Sequence, residues 1–352
     1  MYSKILPFNK ALLKKDWKMT RWFCFVVAGI LFFSMTFGVI YTHKNFQMTL
    51  KEVEKYPERY MDFDEYEYKK MLQHTLQRNF TSLTGFEPIL ITFGPMIVAA
   101  LLFGEEKRKR TFEVLSTMPF TRWEIFFNKV IMAYINIALP FLVNAAIMIA
   151  ALGFSKGLRE FYSASMVIFW LGADAFRLFV ILSFSLLFAG LTGTTASQLV
   201  LTIIFFIFPL GFAGLIDMNM YMWGYSSFVI DDFLNIVVRY TILDVLENIE
   251  DVSVLFHIIS ATVMLIASKL LFEHNKLERS GETLEFESME TFFKVGVAVC
   301  TSLLFGVIFG WFGDTNIYKS GNIMFAVLGY IVGLLLGWFV ASYSIKTNRA
   351  KA

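Results

Sequence analysis

The feature that most constrains this chain is a set of eight long apolar segments, each long enough to cross a lipid bilayer as a helix. The segments are residues 22–41, 86–103, 125–152, 166–191, 199–215, 254–271, 295–312 and 323–342. The composition agrees with this pattern, because 57% of the 352 residues are hydrophobic, whereas about 45–50% is usual in a soluble domain. The sequence therefore predicts an all-α polytopic membrane protein with eight spans.

Basic residues indicate which loops face the cytosol. The four consecutive basic residues 107–110 follow the second apolar segment, and short loops rich in Lys and Arg are retained on the cytosolic side. Alternation from that loop predicts that both termini are cytosolic and that the polar segments 42–85 and 216–253 are external. Segment 42–85 also carries basic residues, but long loops cross the membrane largely regardless of charge. We expect it to form an external helical cap.

Residues 1–21 precede the first span and have a helical pattern. At about 100° per residue, the lysines occupy one arc and the large apolar side chains the other, with only Asp16 out of place. This pattern over Ser3 to Thr20 predicts an amphipathic helix at the cytosolic membrane surface. The alternative is a helix that packs on a soluble partner. The first span is not expected to be a cleaved signal peptide, because no small-residue cleavage site accompanies it.

The polar segment 104–129, which joins the second and third spans, has signals for two helix starts. Thr111 can cap a short helix with Glu113 in its first turn, and Pro119 ends that helix. Thr121 can cap a second helix in which Glu124 takes the capping-box position. The pattern predicts a short helix at the cytosolic face, between two spans.

This segment resembles the coupling-helix region of type-2 ATP-binding-cassette (ABC) exporter permeases. The resemblance consists of an acidic residue, a Thr-x-Glu-x-Leu pattern, and then Pro, Arg and Lys, which fall on Glu106, Thr111, Glu113, Leu115, Pro119, Arg122 and Lys129. The sequence departs from the family pattern at Arg110, because a Gly usually precedes the Thr. An ordinary basic cytosolic loop is the alternative interpretation.

The resemblance implies a type-2 ABC exporter permease fold. The resemblance covers about residues 3–272, with an N-terminal interfacial helix and a six-span core in residues 22–272. A cytosolic linker in 273–294 and two additional spans in 295–352 lie beyond it, and we expect these spans to pack at the periphery of the core. The resemblance further implies a bacterial plasma-membrane subunit that moves its substrate outward, driven by two copies of a separate ABC ATPase that bind ATP and Mg. A second copy of this permease, or a related permease, would complete the path. In the family, segment 216–253 holds short re-entrant helices, although an aromatic belt with an interfacial helix explains the same residues. Within this segment the pattern predicts an acidic amphipathic helix around residues 241–251.

Three polar residues stand out inside the predicted spans. Asp174 and Arg177 are three residues apart, so they lie on one helix face and can pair. Pairing matters because each charge costs about 2.5–3.5 kcal/mol at the centre of a membrane helix. The pair belongs either to the translocation path or dimer interface, or to a structural contact near the external leaflet. Asn144 lies inside the third span, one turn after Pro140.

Common enzyme motifs are missing from the sequence. It has no GxxxxGK[ST] loop for ATP, no HExxH and no CxxC, and its four histidines are scattered. Cys24 and Cys300 lie in apolar segments, so no structural disulfide is expected. The net charge of +2 does not indicate nucleic-acid binding. We expect a transporter subunit rather than an enzyme, with no cofactor in this chain.

Two other functions compete with the exporter permease. A secondary transporter would use Asp174 and Arg177 as its ion-coupled site. A membrane anchor or sensor would bind a ligand through external helices, where tyrosines cluster between residues 56 and 68. For a permease, the apolar and aromatic-rich spans favour an amphiphilic substrate, such as a membrane-active peptide, a lipid or a hydrophobic drug, over a small ion.

Overall fold

The computed structural model describes residues 8–108, 118–225, 227–247, 249, 252–275, 287–312 and 322–349. The helices within these ranges are α1 Lys10–Leu31, α2 Phe37–Lys55, α3 Glu65–Thr81, α4 Glu87–Ala99, α5 Glu105–Arg108, α6 Arg122–Phe154, α7 Ala164–Leu191, α8 Thr195–Met222, α9 Ser227–Arg239, α10 Val254–His274, α11 Glu287–Trp311 and α12 Ile323–Arg349. Two π-helical segments, Phe32–Thr36 and Ala100–Gly104, follow α1 and α4. Eight stretches of helix are long and apolar enough to cross a membrane, which confirms the predicted number of spans.

The first span is longer than the sequence pattern predicted. α1, the π segment and α2 follow one another without a break from Lys10 to Lys55, so the predicted end of a separate helix at Thr20 is wrong. The helix also continues past residue 41 into the segment predicted to be the external cap. The physical reason is that no proline lies between Pro7 and Pro57, and a short 3₁₀ helix begins at Pro57. Residues 1–7 lie outside the described residues.

Other predicted boundaries agree with the structure or need correction. Pro95, Pro140 and Pro209 lie inside continuous helices, as expected for membrane helices whose neighbours satisfy the freed backbone groups. α8 runs on to Met222, past the predicted external boundary at residue 216. α9 occupies an apolar part of segment 216–253, whose re-entrant or interfacial placement stays a prediction.

The amphipathic helix predicted over residues 241–251 is wrong. The described part of that stretch contains only a short 3₁₀ helix, Ile242–Leu246. Arg177 donates hydrogen bonds to the carbonyl oxygens of Val245 and Glu247, at 3.0 and 3.2 Å. In an α-helix those carbonyls would accept from amides four residues later, so the arginine takes acceptors that a continuing helix would use.

The chain divides into two compact units. The first comprises residues 1–102, 120–185 and 245–263. Within it α1 packs along α6, and α4 packs against both helices. α2 packs against α3 and against the short 3₁₀ helix Lys156–Glu160. The core between these helices is made of large apolar side chains, among them Phe23, Leu31, Ile91, Phe141 and Trp170.

Three asparagines of α6 are buried at successive levels along the helix. Asn128, Asn136 and Asn144 are each at most 1% exposed. Asn128 accepts a hydrogen bond from the backbone N–H of Asn9, which itself caps the start of α1. Asn144 contacts the middle of the first span, as described below. Polar side chains of this kind join helices in an apolar medium, where an unpaired polar group is costly.

The second unit comprises residues 103–119, 186–244 and 264–352. Its closest packing is between α11 and α12, and α8 packs against α11, α9 and α5. Three glycines at four-residue intervals, Gly329, Gly333 and Gly337, form the α12 side of the contact. A Cβ added at these positions would lie 2.8–2.9 Å from backbone carbon atoms of α11. Small residues at this spacing let membrane helices approach to backbone contact.

A polar contact joins α8 to the last two helices of the same unit. Tyr330 donates a hydrogen bond to Asn219 Oδ1 at 2.6 Å, and the Asn219 amide donates to the Leu303 carbonyl at 3.2 Å. The Trp223 indole donates to the Tyr330 hydroxyl at 3.0 Å. The two additional spans are therefore attached to α8 by directional bonds as well as by apolar contact.

Candidate functional site

The segment 104–129, which we call the coupling region, is described only at its two ends. Thr111, Glu113 and Leu115 lie outside the described residues. Pro119 is exposed, and α6 begins three residues later. The predicted capping box is confirmed: Thr121 accepts from the Glu124 N–H at 3.1 Å, and the Glu124 carboxylate accepts from the Thr121 N–H at 2.9 Å.

At the start of the coupling region, Gly104 and Glu106 lie in the second unit. Glu106 is 3% exposed, and it follows the π segment that ends α4. A Cβ at Gly104 would lie 2.7 Å from the Cα of Thr195, so only glycine allows this approach to the start of α8. Glu106, the acidic residue of the family pattern, is therefore buried. Its role in contact with an ATPase stays a prediction.

Lys129 is the best-defined member of the predicted set. Its side chain is 2% exposed, and its ammonium donates to the Leu102 carbonyl at 2.5 Å. The same ammonium lies 3.9 Å from the carboxylate of Asp16, which is itself buried in α1. Lys129, the last residue of the coupling region, thus joins the end of the second span to α1. Asp16, the residue out of place in the amphipathic pattern, is its ionic partner.

The polar residue beside this lysine, Asn128, was not among the predicted site residues. Asn128 is fully buried, donates to the Glu124 carbonyl at 2.6 Å and accepts from the Asn9 N–H at 3.0 Å. Phe8 and Phe127 pack edge to face beside it, with ring centroids 5.5 Å apart. An asparagine inside the apolar segment 125–152, the pattern that singled out Asn144, is the sequence signal that would have found it.

The predicted pair of intramembrane charges is present. Arg177 Nη1 donates to Asp174 Oδ1 at 2.7 Å, and the two side chains are 1% and 0% exposed. The remaining described bonds of the guanidinium go to the carbonyls of Val245 and Glu247. Arg177 therefore holds residues 245–247, at the end of the 3₁₀ helix, against α7, in addition to offsetting the charge of Asp174.

A third buried ionisable residue, Glu87, belongs to the same site and was not predicted from the sequence. It is the first residue of α4 and is 0% exposed. Its carboxylate accepts from the Trp170 indole N–H and from the Thr84 N–H. It also lies close enough to the carboxyl group of Asp174 to interact with it. An acidic residue at the edge of an apolar span was the available signal, but its partner lies 87 positions along the chain at Asp174.

Asn144 contacts the first span where its helix changes form. Thr36, the last residue of the π segment, donates to Asn144 Oδ1 at 2.7 Å. The Asn144 amide donates to the carbonyls of Ala28, at 3.2 Å, and Pro140, at 2.9 Å. The Ala28 carbonyl also accepts from the backbone N–H of Phe32, the first residue of the π segment, so the Asn144 amide adds a donor from α6 at the point where α1 changes form. The contact fixes α6 against the middle of the first span.

The tyrosines of the cap have different environments. Tyr68 stacks on Phe46 of α2 with ring centroids 6.0 Å apart, and Tyr60 donates to Glu52 at 3.3 Å. Tyr56 and Tyr66 are exposed. Tyr60 and Tyr68 both pack on Phe63, with ring centroids 6.2 and 5.5 Å apart, and a ligand-binding role of the four rings stays a prediction.

The cap is tied to the loop after α6. Lys69 forms an ion pair with Glu160, and the Gln73 amide donates to the Glu160 carbonyl oxygen at 2.6 Å. The hydrogen bond and the charge of Lys69 hold the pKa of Glu160 below its usual value. Nearby, burial raises the pKa of Tyr162 to about 12, and its hydroxyl donates to the Met148 carbonyl.

These features belong to a chain whose helices are joined by buried polar contacts and whose second and third spans are connected by a capped, basic loop. The sequence model of the ABC-2 family transporter proteins matches residues 10–345. The chain belongs to this family. The match covers both the six-span core and the two additional spans, so the last two helices of this ABC-2 permease are part of the family unit. A search among curated proteins and a search among solved structures each found no match.

Membership assigns the chain to the membrane component of an ABC transporter. This class selects a multi-pass permease over a secondary transporter and over an anchor or sensor. It also implies an ABC ATPase as partner, since permeases of this class work with a separate nucleotide-binding subunit.

Proposed function

We propose that this ABC-2 permease exports an amphiphilic substrate and that its coupling region, residues 104–129, receives the movement of the ATPase. The observation that carries the proposal is the contact of Lys129 with the Leu102 carbonyl and Asp16. These residues belong to the start of the third span, the end of the second and the first. A displacement of the coupling region is therefore passed to three spans together.

The buried character of these contacts supports transmission of a force. Lys129 and Asp16 are 2% and 3% exposed, so water does not compete for their bonds. Asn128 adds a second tie between the start of α6 and the start of α1. In this proposal α1 is a lever that moves with the coupling region, and Asn144 passes the movement to the π segment in the middle of the first span.

A groove beside the π segment supports the choice of substrate class. It has a volume of about 530 Å³ and lies along α1 and the π segment, with Phe25, Phe33 and Phe86 among its lining residues. Such a surface accommodates an acyl chain or an apolar side chain better than an ion. We infer a membrane-active peptide, a lipid or a hydrophobic drug as substrate, moved outward.

The assembly follows from the same proposal. Two copies of this permease, or this chain and a related permease, would form the path, and two ATPase subunits would bind ATP and Mg. We place both termini in the cytosol of a bacterial cell and residues 57–85 outside. Single cysteines at Asp64 and Lys107 should then react with an impermeant thiol reagent from opposite sides of the membrane. Reaction of both from outside would overturn the orientation.

The central experiment reverses one charge in the coupling region. Glu113→Lys replaces an attraction to the ATPase with a repulsion, so ATPase association or substrate-stimulated hydrolysis should fail while insertion and folding remain normal. Glu67→Lys, on the exposed surface of α3, is the matched control and should leave both unchanged. Full ATPase binding and transport by Glu113→Lys in reconstituted vesicles would reduce the coupling region to a basic topological anchor.

A second variant tests the lever separately. Lys129→Met keeps a long side chain but removes the ammonium from Leu102 and Asp16. If the contact transmits movement, the ATPase should still bind and hydrolyse ATP, while transport per ATP falls. Equal loss of ATPase binding and transport would mean that Lys129 serves only to shape the docking loop.

A further inference from the structure

The buried site of Glu87, Asp174 and Arg177 has an unequal number of charges. All three side chains are at most 1% exposed. With both carboxyl groups ionised, the site would hold two negative charges and one positive charge. An uncompensated charge in such an environment costs several kcal/mol, and a buried group usually takes or loses a proton instead.

Hydrogen-bond donors show which carboxyl group is held as the ion. Glu87 accepts a bond at each oxygen, from the Trp170 indole at Oε1 and from the Thr84 N–H at Oε2. Asp174 accepts from Arg177 at Oδ1 only. Its second oxygen, Oδ2, is buried and has no hydrogen-bond partner among the described residues. Glu87 is thus satisfied as an anion, whereas Asp174 has one oxygen that a proton would complete.

The two carboxyl groups are near each other, because Glu87 accepts from the indole of Trp170, which lies one turn before Asp174 on α7. Two neighbouring carboxyl groups in one site do not both ionise readily, because the first negative charge opposes the second. The neighbours of the site are carried by α4, by α7 and by residues 244–247 at the end of the 3₁₀ helix, whose ionisable side chains are Asp244 and Glu247. Within the described residues, these elements contribute no further ionisable side chain to its hydrogen bonds and ion pairs, only the Trp170 indole and backbone groups.

We propose that this site binds one proton, held on Asp174 Oδ2 beside the carboxylate of Glu87. The bound proton makes the site neutral: Glu87 carries one negative charge, Arg177 carries one positive charge and Asp174 is a carboxylic acid. Glu87 begins α4 and Asp174 lies in α7, so the proton stays only while the two helices keep these groups together. A movement that separates them, or that admits water, releases the proton from Asp174.

Infrared difference spectroscopy of the purified full chain tests the proposal directly. The chain is held in a maltoside detergent, which has no carbonyl group, and spectra are recorded over a range of pH. A carboxylic-acid carbonyl band should be present at neutral pH and disappear in alkali. It should shift when the aspartates carry isotopically labelled carboxyl carbons. If no such band exists, or if it ignores the aspartate label, the assignment to Asp174 is overturned.

Two isosteric variants extend the test. Asp174→Asn and Glu87→Gln each remove one acidic group and leave one carboxylate beside Arg177, so each should fold and lose the band. Asp217→Asn, a half-buried acid in α8, is the matched control and should keep it. Persistence of the band in both site variants would assign it to another acid and refute the proposal.

Thermal stability gives a second measurement that does not depend on assigning a band. A proton bound more tightly in the folded chain stabilises it fully below the carboxyl pKa of the unfolded chain, and this contribution is lost as pH rises. The Tm of wild type should therefore fall relative to that of Asp174→Asn between acidic and neutral pH. A constant difference in Tm would contradict a bound proton.

Discussion

In the first unit, α1 and α6 are joined by hydrogen-bonding side chains, whereas in the second unit α11 and α12 meet through glycines. Asn128 and Asn144 bond to the two ends of their helix pair, and Lys129 adds an ionic contact. On α12, by contrast, three residues at the contact have no side chain, and the added Cβ of Gly333 would strike α11 backbone. The described hydrogen bonds between these two helices run from Thr301 and Ser302 of α11 to backbone carbonyls of α12, so α12 contributes no polar side chain to them. Both are ways to join helices in a medium where apolar burial gives no net attraction.

The difference predicts which kind of mutation each unit resists. A directional bond fixes the register and depth of one helix on another, so the first unit should be sensitive to charge and to hydrogen-bonding groups. The contact of α11 with α12 depends on the absence of side chains at three glycines, so this part of the second unit should be most sensitive to volume. A unit that transmits movement benefits from the first kind of contact, because directional bonds resist sliding.

The largest effect should follow from removal of the Arg177 guanidinium, because it donates to one carboxylate and two backbone carbonyls. Arg177→Met leaves Asp174, and the carbonyls of Val245 and Glu247, without their described donor. We expect a loss of about 3–5 kcal/mol in the free energy of unfolding, or no folded protein. Folded yield on size-exclusion chromatography and chemical denaturation measure it, with Arg59→Met on the exposed surface as control.

Exchange of Asp174 and Arg177 sharpens the same point. A pair that only neutralised charge would be rescued by the exchange, but the guanidinium would then start from position 174 and lose its place beside the two carbonyls. We therefore expect little recovery of folded yield. Near-complete recovery would show that the carbonyl contacts add nothing to the charge pair.

In the second unit the corresponding change is one of volume. Gly333→Ala puts a methyl group 2.8 Å from the Cα of Ser302, which forces α11 and α12 apart. Overpacking of this kind costs about 1–3 kcal/mol. Gly296→Ala in α11 is the control, because a Cβ there meets nothing within 4 Å. Equal thermal stability of the two variants would contradict close packing at α12.

A smaller effect should come from the ion pair of Asp16 and Lys129. Their side chains have other interactions, so the direct contact is measured by a double-mutant cycle with Asp16→Asn and Lys129→Met. At 3.9 Å in a buried site we expect a coupling energy of about 0.5–3 kcal/mol. Additive losses would mean that the two charges act through different partners.

The smallest effect should be on the exposed ion pair of the cap. Lys69 lowers the pKa of Glu160, so the pair stabilises the fold above the unfolded pKa of that carboxyl and loses this contribution as pH falls through the folded pKa. The Tm of Lys69→Met should be below that of wild type at neutral pH, and the difference should shrink in acid. Lys70→Met, at an exposed neighbouring position, should show no such trend.

Much of the local structure could be predicted because its cause is local. The apolar segments gave the number of spans, and the Thr121 capping box and the Asp174–Arg177 pair were correct because each joins residues three apart on one helix. Boundaries were less accurate. α2 and α8 continue past the ends of their apolar segments, since a helix stops where its backbone is interrupted rather than where its side chains become polar.

The sequence by itself determined the membrane class, the number of spans and the Thr121 capping box, whereas the coupling region stays a prediction from a family pattern. Tertiary structure alone decided that Asp16 is the partner of Lys129, that Glu87 joins Asp174, and that Arg177 binds a segment nearly 70 residues away. The physical reason is that a partner on another helix depends on how deep each helix lies and how far it is rotated. Those quantities are set by packing of the whole unit, and no short stretch of sequence contains them.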